Sequence, residues 1–215
     1  MVDYLTSKQG YTVAEVTIPF VHDGQLAHAI TILTELVAGV KSSDTYKLTP
    51  ANKVLLSVAR QSTSVHFLQT QRLRNLMIQH LRHLYTNHPG LIITPTVVEA
   101  GWRIESGELF HGTTNANKQL KNMTYAWLAN FSGCPAISVP CGYADPLPGT
   151  KASGKIPIGL CGMGDWCRED EIIAFGYDCE RYLSDVFPDS RLKPGNWTDV
   201  LELARARGSE RIEAA

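Results

Sequence analysis

The sequence predicts an α/β fold, and three observations predict it. Amphipathic helical stretches alternate with short apolar runs, those runs are unbroken as in strands buried on both faces, and Gly or Pro marks most junctions. With 215 residues, 44% hydrophobic and 19% charged, the chain is long enough to bury a sizeable core.

"YTVAEVTIP" (11–19) alternates Val13, Val16 and Ile18 with polar residues and stops at Pro19, which reads as a strand leaving a sheet. Asp23 then predicts the cap of a helix through about Val40, with Leu26, Ile30, Leu33, Leu36 and Val37 at helical spacing. Thr49-Pro50 is an N-cap followed by the proline that helix starts tolerate, and no Gly or Pro recurs until Pro89. The spacing therefore predicts one continuous helix over 50–86, roughly 55 Å long at about 1.5 Å per residue. Leu56, Ala59, Leu73, Leu76, Met77, Leu81 and Leu84 form its apolar stripe, which should lie across a sheet.

"GLIITPT" (90–96) predicts a strand buried on both faces. The segment 97–116, with Gly101, Gly107 and Gly112, predicts a loop. A helix over 117–131, a strand over 134–140, a Gly/Pro/Lys hairpin-like excursion (142–155), a strand over 156–162 and a helix over 168–184 complete the chain.

Composition excludes several functions. A formal net charge of -1 lacks the footprint of a nucleic-acid binder, so no nucleic-acid partner is expected. The amino terminus has neither a basic n-region nor an apolar h-region, and no run approaches the ~18 apolar residues of a transmembrane segment, which predicts a cytoplasmic protein. Five cysteines, odd in number and without a C-x-x-C pair, predict reduced packing thiols rather than disulfides or a zinc ribbon.

Four local patterns can be weighed as chemistry. His80, His83 and His88 cluster near a helix end, yet no carboxylate at helical spacing completes a metal shell, so imidazoles complementing a helix C-terminus is the favoured reading. "GLCGMGD" (159–165) reverses the dinucleotide fingerprint, and glycines easing a strand into a turn fit it better. Cys134 and Cys141 sit at element ends where a thiol can be exposed, but no histidine lies beyond His111 to activate one. In "KSSDT" (41–45), Ser42 and Ser43 have a nearby lysine but no following glycine to open an oxyanion site, so a solvated loop is favoured. No metal or other cofactor is expected.

"TYAWLANFSGCPAISVPCGY" (124–143) and "KIPIGLCGMGDWCREDEIIAFGYDCE" (155–180) together resemble the carboxyl-terminal signature of the amidase-signature family. That signature has an aromatic-apolar helix ending in Asn, a Gly-x-Pro-Ala step, a strand Ile-Ser-Val-Pro and then Pro-x-Gly-Leu. Upstream, "YTVAEVTIP" and "LIITPT" resemble the family's later strands, so the resemblance runs in order through about 11–184, with 185–215 as an extension. It implies part of the amidase-signature fold: a mixed β-sheet of about four or five strands, helices on both faces, and one sheet edge open.

The family's glycine- and serine-rich stretch, with its nucleophilic serine, bridging serine and preceding lysine base, has no match in 1–215. The resemblance therefore implies no catalytic residue here, and a missing amino-terminal half as partner. A lysine serves as base only where its surroundings favour the neutral amine, whereas the lysines here sit in polar contexts such as "TSKQG" and "ANKQLKN". In the resembled enzymes the helix before the Gly-x-Pro turn flanks the acyl pocket. This makes Met123, Thr124 and Trp127 candidates for substrate contact, with Thr94, Pro95 and Thr96 at the other strand end, and core packing as the alternative for each. Relatives acting on glutamine tend to carry an acidic residue near position 123, and Met there leans toward an uncharged, apolar amide.

Two functions follow as expectations. One is the pocket side of an amidase cleaving a small-molecule amide through a serine acyl-enzyme, similar to the acetamidase and fatty-acid amide hydrolase branches and, more distantly, to the amidase component of glutamyl-tRNA amidotransferase. The other is a non-catalytic truncated product or binding remnant. In the first case uncovered apolar surface would favour a homo-oligomer.

Overall fold

In the computed structural model, the described residues are 1–113, 115–146, 154–188 and 198–213. Part of the hairpin-like excursion (147–153) and part of the extension (189–197, 214–215) lie outside them.

The amino terminus forms a helix that the pattern did not predict, α1 (Val2–Gln9), because its apolar content is thin and Leu5 is its one buried residue. Docking holds it in place: Leu5 packs with Val139, Phe175 and Cys179, and the Tyr4 hydroxyl donates to Asp185. Gly10, at φ 76, ends the helix in the left-handed conformation that glycine tolerates. Residues 11–18 then carry no regular secondary structure and join no ladder, so the strand expected at 11–19 is absent from the sheet. Alternation favours an extended backbone, while a strand also needs a neighbour to pair with.

α2 (Val21–Gly39) starts earlier than Asp23 predicts; Phe20 takes the N-cap position, and Asp23 lies in the first turn, where its charge suits the helix dipole. Ser42–Lys47 is a 3-10 turn. The single long helix expected over 50–86 is two, α3 (Pro50–Ala59) and α4 (Ser64–Asn87). Thr63 makes the break: its hydroxyl accepts from the His66 backbone N–H at 3.2 Å, and His66 Nδ1 accepts from the Thr63 N–H at 3.4 Å. This reciprocal box starts a helix without needing Gly or Pro.

β1 (Ile92–Pro95) follows, then the predicted loop, which contains one short helical turn, α5 (Glu108–His111). The helix expected over 117–131 is also split, into α6 (Ala116–Asn122) and α7 (Trp127–Ser132). Thr124 donates from Oγ1 to the Lys121 carbonyl at 2.6 Å, a local bond that competes with helix continuation. β2 (Ala136–Ala144) and β3 (Ile156–Met163) pair antiparallel, as the hairpin-like excursion predicts, with a bulge that leaves Cys141 between Pro140 and Gly142. α8 (Glu169–Val186) and α9 (Val200–Glu213) follow, the latter unpredicted.

Among the described residues the sheet has three strands in the order β1-β3-β2, antiparallel throughout, in place of four or five of a mixed sheet. Helices do cover both faces. Ile93, Ile137, Val139 and Leu160 face α8 and α1, while Ile92 and Met163 face Leu81 and Tyr85 of α4. A second core lies within the helical layer, where Ala27, Met77, Trp127 and Phe131 meet. Both outer strand edges are free of strand partners among the described residues. No helix there is long and apolar enough to cross a membrane.

Candidate functional site

The site grows from the alternation of the sheet face under α4. Its first row, Ile92, Met163 and Ala136, is apolar, and Tyr85 locks it by donating from its hydroxyl to the Met163 carbonyl at 3.1 Å. Two residues further along, the face leaves the cover of α4, and the next row is Thr94, Cys161 and Ser138. Thr96 continues the line, donating its N–H to the Gly159 carbonyl at 3.0 Å, and its hydroxyl meets that of Ser138 at 2.7 Å. This hydroxyl pair bridges the two outer strands above the central one. The bridge requires Gly159, because a Cβ there would stand 2.7 Å from Thr96 Oγ1 and 3.2 Å from Ser138 Oγ.

The result is a shelf of small polar groups with Ala136, Ser138 and Pro140 exposed to solvent. Burial raises the Cys161 thiol pKa, and a hydrogen bond with Thr94 pulls the other way. The other glycines of "GLCGMGD" admit neighbours rather than open a turn: the Phe175 ring lies 2.8 Å from where a Gly162 Cβ would sit, and Ile172 lies 3.0 Å from one at Gly164.

The expected pocket residues divide. Thr94 and Thr96 lie on the shelf, while Pro95, in register with Leu160, is exposed on the opposite face of the sheet. Met123 ends α6 and Thr124 follows it, both half-buried; this helix meets the segment after β1 through Lys121 Nζ to Glu99 Oε1 at 2.6 Å and Lys118 over the Trp102 ring. The hydrogen bond from Lys121, reinforced by its charge, lowers the Glu99 pKa. Trp127 lies in the core, 1% exposed and beside Ala27, Met77 and Phe131. Its ring rests on Gly24, where a Cβ would come 2.5 Å from the indole. Ser138, Cys161 and Gly159 were not read as site residues; the available signal was a lone serine in an apolar strand and a glycine inside the next one.

The "ANFSGCPAISVP" segment is the brace behind the shelf. Gly133, at φ 80, closes α7, while Arg74 Nε donates to the Phe131 carbonyl at 2.6 Å and Trp166 Nε1 to the Ser132 carbonyl at 3.2 Å. Carbonyls that a helix end leaves open are thus satisfied by side chains of α4 and of the turn after β3.

Nucleophile candidates fare poorly. Cys134 is buried and Cys141 half-buried; burial raises both thiol pKa values and so suppresses the thiolate. Cys179 is pushed up to about 12 by burial first and neighbouring Cys141 second. Ser42 and Ser43 lie exposed on the 3-10 turn. His83 is tied to Asn87, and His88 caps α4.

The Amidase family model matches residues 8–173. The chain belongs to the amidase family. It is 27% identical over 201 residues to a fatty acid amide hydrolase of Arabidopsis thaliana, covering 92% of this chain and 31% of that protein. It is 30% identical over 116 residues to a glutamyl-tRNA(Gln) amidotransferase component of Clostridium botulinum, covering 54% of this chain and 21% of that protein. The chain thus spans less than a third of the length of these relatives. Among solved structures, a bacterial aryl acylamidase of the amidase-signature family superposes with a TM-score of 0.58 at 20% identity, covering 79% of this chain and 36% of that one. A 6-aminohexanoate cyclic dimer hydrolase gives 0.56 at 20% identity, covering 81% and 38%. These structures establish the α/β amidase-signature fold.

Proposed function

We propose that residues 1–215 form the substrate-pocket side of an amidase that hydrolyses the C–N bond of a linear, uncharged amide through a serine acyl-enzyme. In this reading a polypeptide segment outside these residues brings the nucleophilic serine, the bridging serine and the lysine base. The observation that carries it is a gap inside a clear family match: none of the described lysines is buried, and no described lysine ammonium is in contact with a serine, Ser57 reaching only the Lys53 carbonyl. Lys118, half-buried, instead lies over the Trp102 ring at 4.6 Å. A solvated lysine stays protonated at neutral pH and cannot take a serine proton.

Resemblance to fatty acid amide hydrolase across 92% of the chain favours an amide with an apolar acyl part, and Met123 in place of an acid agrees with an uncharged one. The pocket wall assigned to this chain is the shelf of Thr94, Thr96 and Ser138, with Pro95 between the two threonines on the other face of the strand, and with Met123 and Thr124 beyond the Glu99–Lys121 pair. Trp127 supports that wall from within the core.

The test is turnover. The purified chain alone should hydrolyse acetamide, an aryl amide and a fatty amide no faster than buffer. Mixing or co-expressing it with the portion of the Arabidopsis enzyme that precedes the matched region should restore hydrolysis. Turnover by the chain alone that survives Cys134→Ala, Cys141→Ala, Ser42→Ala and Ser43→Ala would overturn the reading.

A further inference from the structure

Among the five cysteines, two meet where β2 runs under α8. The other three lie elsewhere: Cys134 packs with Leu81 and Tyr85 under α4, Cys161 stands on the shelf beside Thr94, and Cys167 is exposed on the turn after β3. Cys179 lies on α8, 0% exposed, in one cluster with Val139 of β2. Cys141 follows Val139 by two residues, as the extra residue of the bulge between Pro140 and Gly142. The strand passes along the helix in step, from Val139 beside Gly176 to Gly142, where a Cβ would stand 3.8 Å from the Phe187 ring. Cys141 therefore crosses α8 between Gly176 and Phe187. Its charge acts there on both Cys179 and Tyr182, neighbours one turn apart.

Two glycines bring the backbones together. A Cβ on Gly176 would come 3.0 Å from Ile137, so its absence lets α8 settle closely on β2, and Gly142 holds no side chain between strand and helix. A disulfide asks for Cα atoms within about 7 Å, a separation that helix and sheet reach only at such close approaches. The bulge adds freedom, since its extra residue is unpaired in the ladder and can shift toward the helix without breaking a strand hydrogen bond. Access differs between the two. Cys141 is half-buried and open to a small oxidant, whereas Cys179 is closed to any thiol from outside. Burial raises both thiols, Cys179 up to about 12 with Cys141 as the second cause, so the pair rests in its reduced form.

We propose that Cys141 and Cys179 are a redox pair, which hydrogen peroxide converts to a disulfide that clasps β2 to α8. The Cys141 sulfur attacks one peroxide oxygen, the O–O bond breaks, and Cys141 becomes a sulfenic acid as the first water leaves. The Cys179 sulfur then displaces that hydroxyl, its proton departs with it as a second water, and the S–S bond forms. Two thiols are oxidised and one peroxide is reduced. The inference is independent of the function proposed above.

The test treats the full chain with hydrogen peroxide, alkylates the remaining thiols under denaturing conditions and maps the cysteine peptides by mass spectrometry. Most of the protein should lose two hydrogens and yield a linked pair of peptides carrying Cys141 and Cys179, released by dithiothreitol. Oxidation should raise the thermal midpoint by roughly 5–10 °C, reversibly. Cys141→Ser should leave Cys179 fully alkylated, Cys179→Ala should stop Cys141 at a sulfenic acid captured by dimedone, and Cys167→Ser should change neither result. Cys141 carried to sulfenic or sulfinic acid in the unaltered chain while Cys179 stays free would overturn the pair. So would a Cys141 disulfide to any other cysteine, or full alkylation of both thiols after peroxide. A linked pair without a rise in midpoint would overturn the clasp.

Discussion

Gly159 sets the geometry of the shelf at the scale of one atom. Gly159→Ala should destabilise the chain by about 1–3 kcal/mol, because its Cβ has to displace the Thr96–Ser138 pair, and denaturant melts would measure it. The double change Gly159→Ala with Ser138→Gly should recover part of the loss; no recovery would mean that the strain lies elsewhere. His28 adds a pH dependence to stability. It is 4% exposed among Trp127 and Phe131, and burial lowers its pKa, opposed by Glu35. A depressed imidazole binds fewer protons in the folded chain than in the unfolded one. Its contribution is therefore complete above the ordinary value of about 6.5 and is lost as pH falls through the lower folded value. Melting temperature should drop on acidification below about pH 6.5, and His28→Asn should flatten that slope. Thiol reactivity should follow burial: Cys167, the exposed cysteine, labels first with a maleimide, and Cys179, at 0% exposure, labels last.

At the scale of elements, the division of the 50–87 stretch into two helices depends on Thr63. Thr63→Ala removes the acceptor for the His66 N–H and should cost about 1 kcal/mol. Thr63→Ser keeps the acceptor and should cost little, and equal losses for the two would reject the capping explanation. The break also lets α3 turn Leu56 and Ala59 inward while Val54 and Val58 stay near 60% exposed. At the other end of the helical layer, α2 approaches α7 closely enough for the Trp127 ring to lie on Gly24. Gly24→Ala should gain up to about 1 kcal/mol in helix propensity yet lose more to the clash with Trp127 and Met77, leaving a net destabilisation.

For the whole molecule, the helical layer presents Leu26, Val54, Val58, Val65 and Leu68 at 57–61% exposure, on top of the bare segment 12–17. Contiguous apolar patches beyond a few hundred Å² are uncommon on soluble monomers. The chain expressed alone should self-associate or bind a hydrophobic dye, and co-expression with the preceding portion of a related amidase should suppress both. A monodisperse monomer that binds no dye and melts in one cooperative step would show that this surface needs no cover.

The sequence by itself determined the α/β class, three strands at about 90–96, 134–140 and 156–162, the second of which runs on to Ala144 in the structure, the helices α2 and α8, and the family, because each carries a local signal: periodicity, Gly and Pro punctuation, or an ordered set of motifs. It could not decide whether 11–18 pairs, since alternation is local and a ladder depends on a distant neighbour. α1 escaped notice for the same reason, its stability coming from contacts with α8 more than a hundred residues away. Two long helices were read where four shorter ones stand, because Thr63 and Thr124 interrupt by side-chain hydrogen bonds that leave helical spacing intact. The end of β1, where Thr94, Pro95 and Thr96 stand, was legible from a proline closing an apolar run. Ser138 and Gly159 became its partners only in the tertiary structure, where antiparallel register set three strands side by side and left one glycine's width for a hydrogen bond to cross.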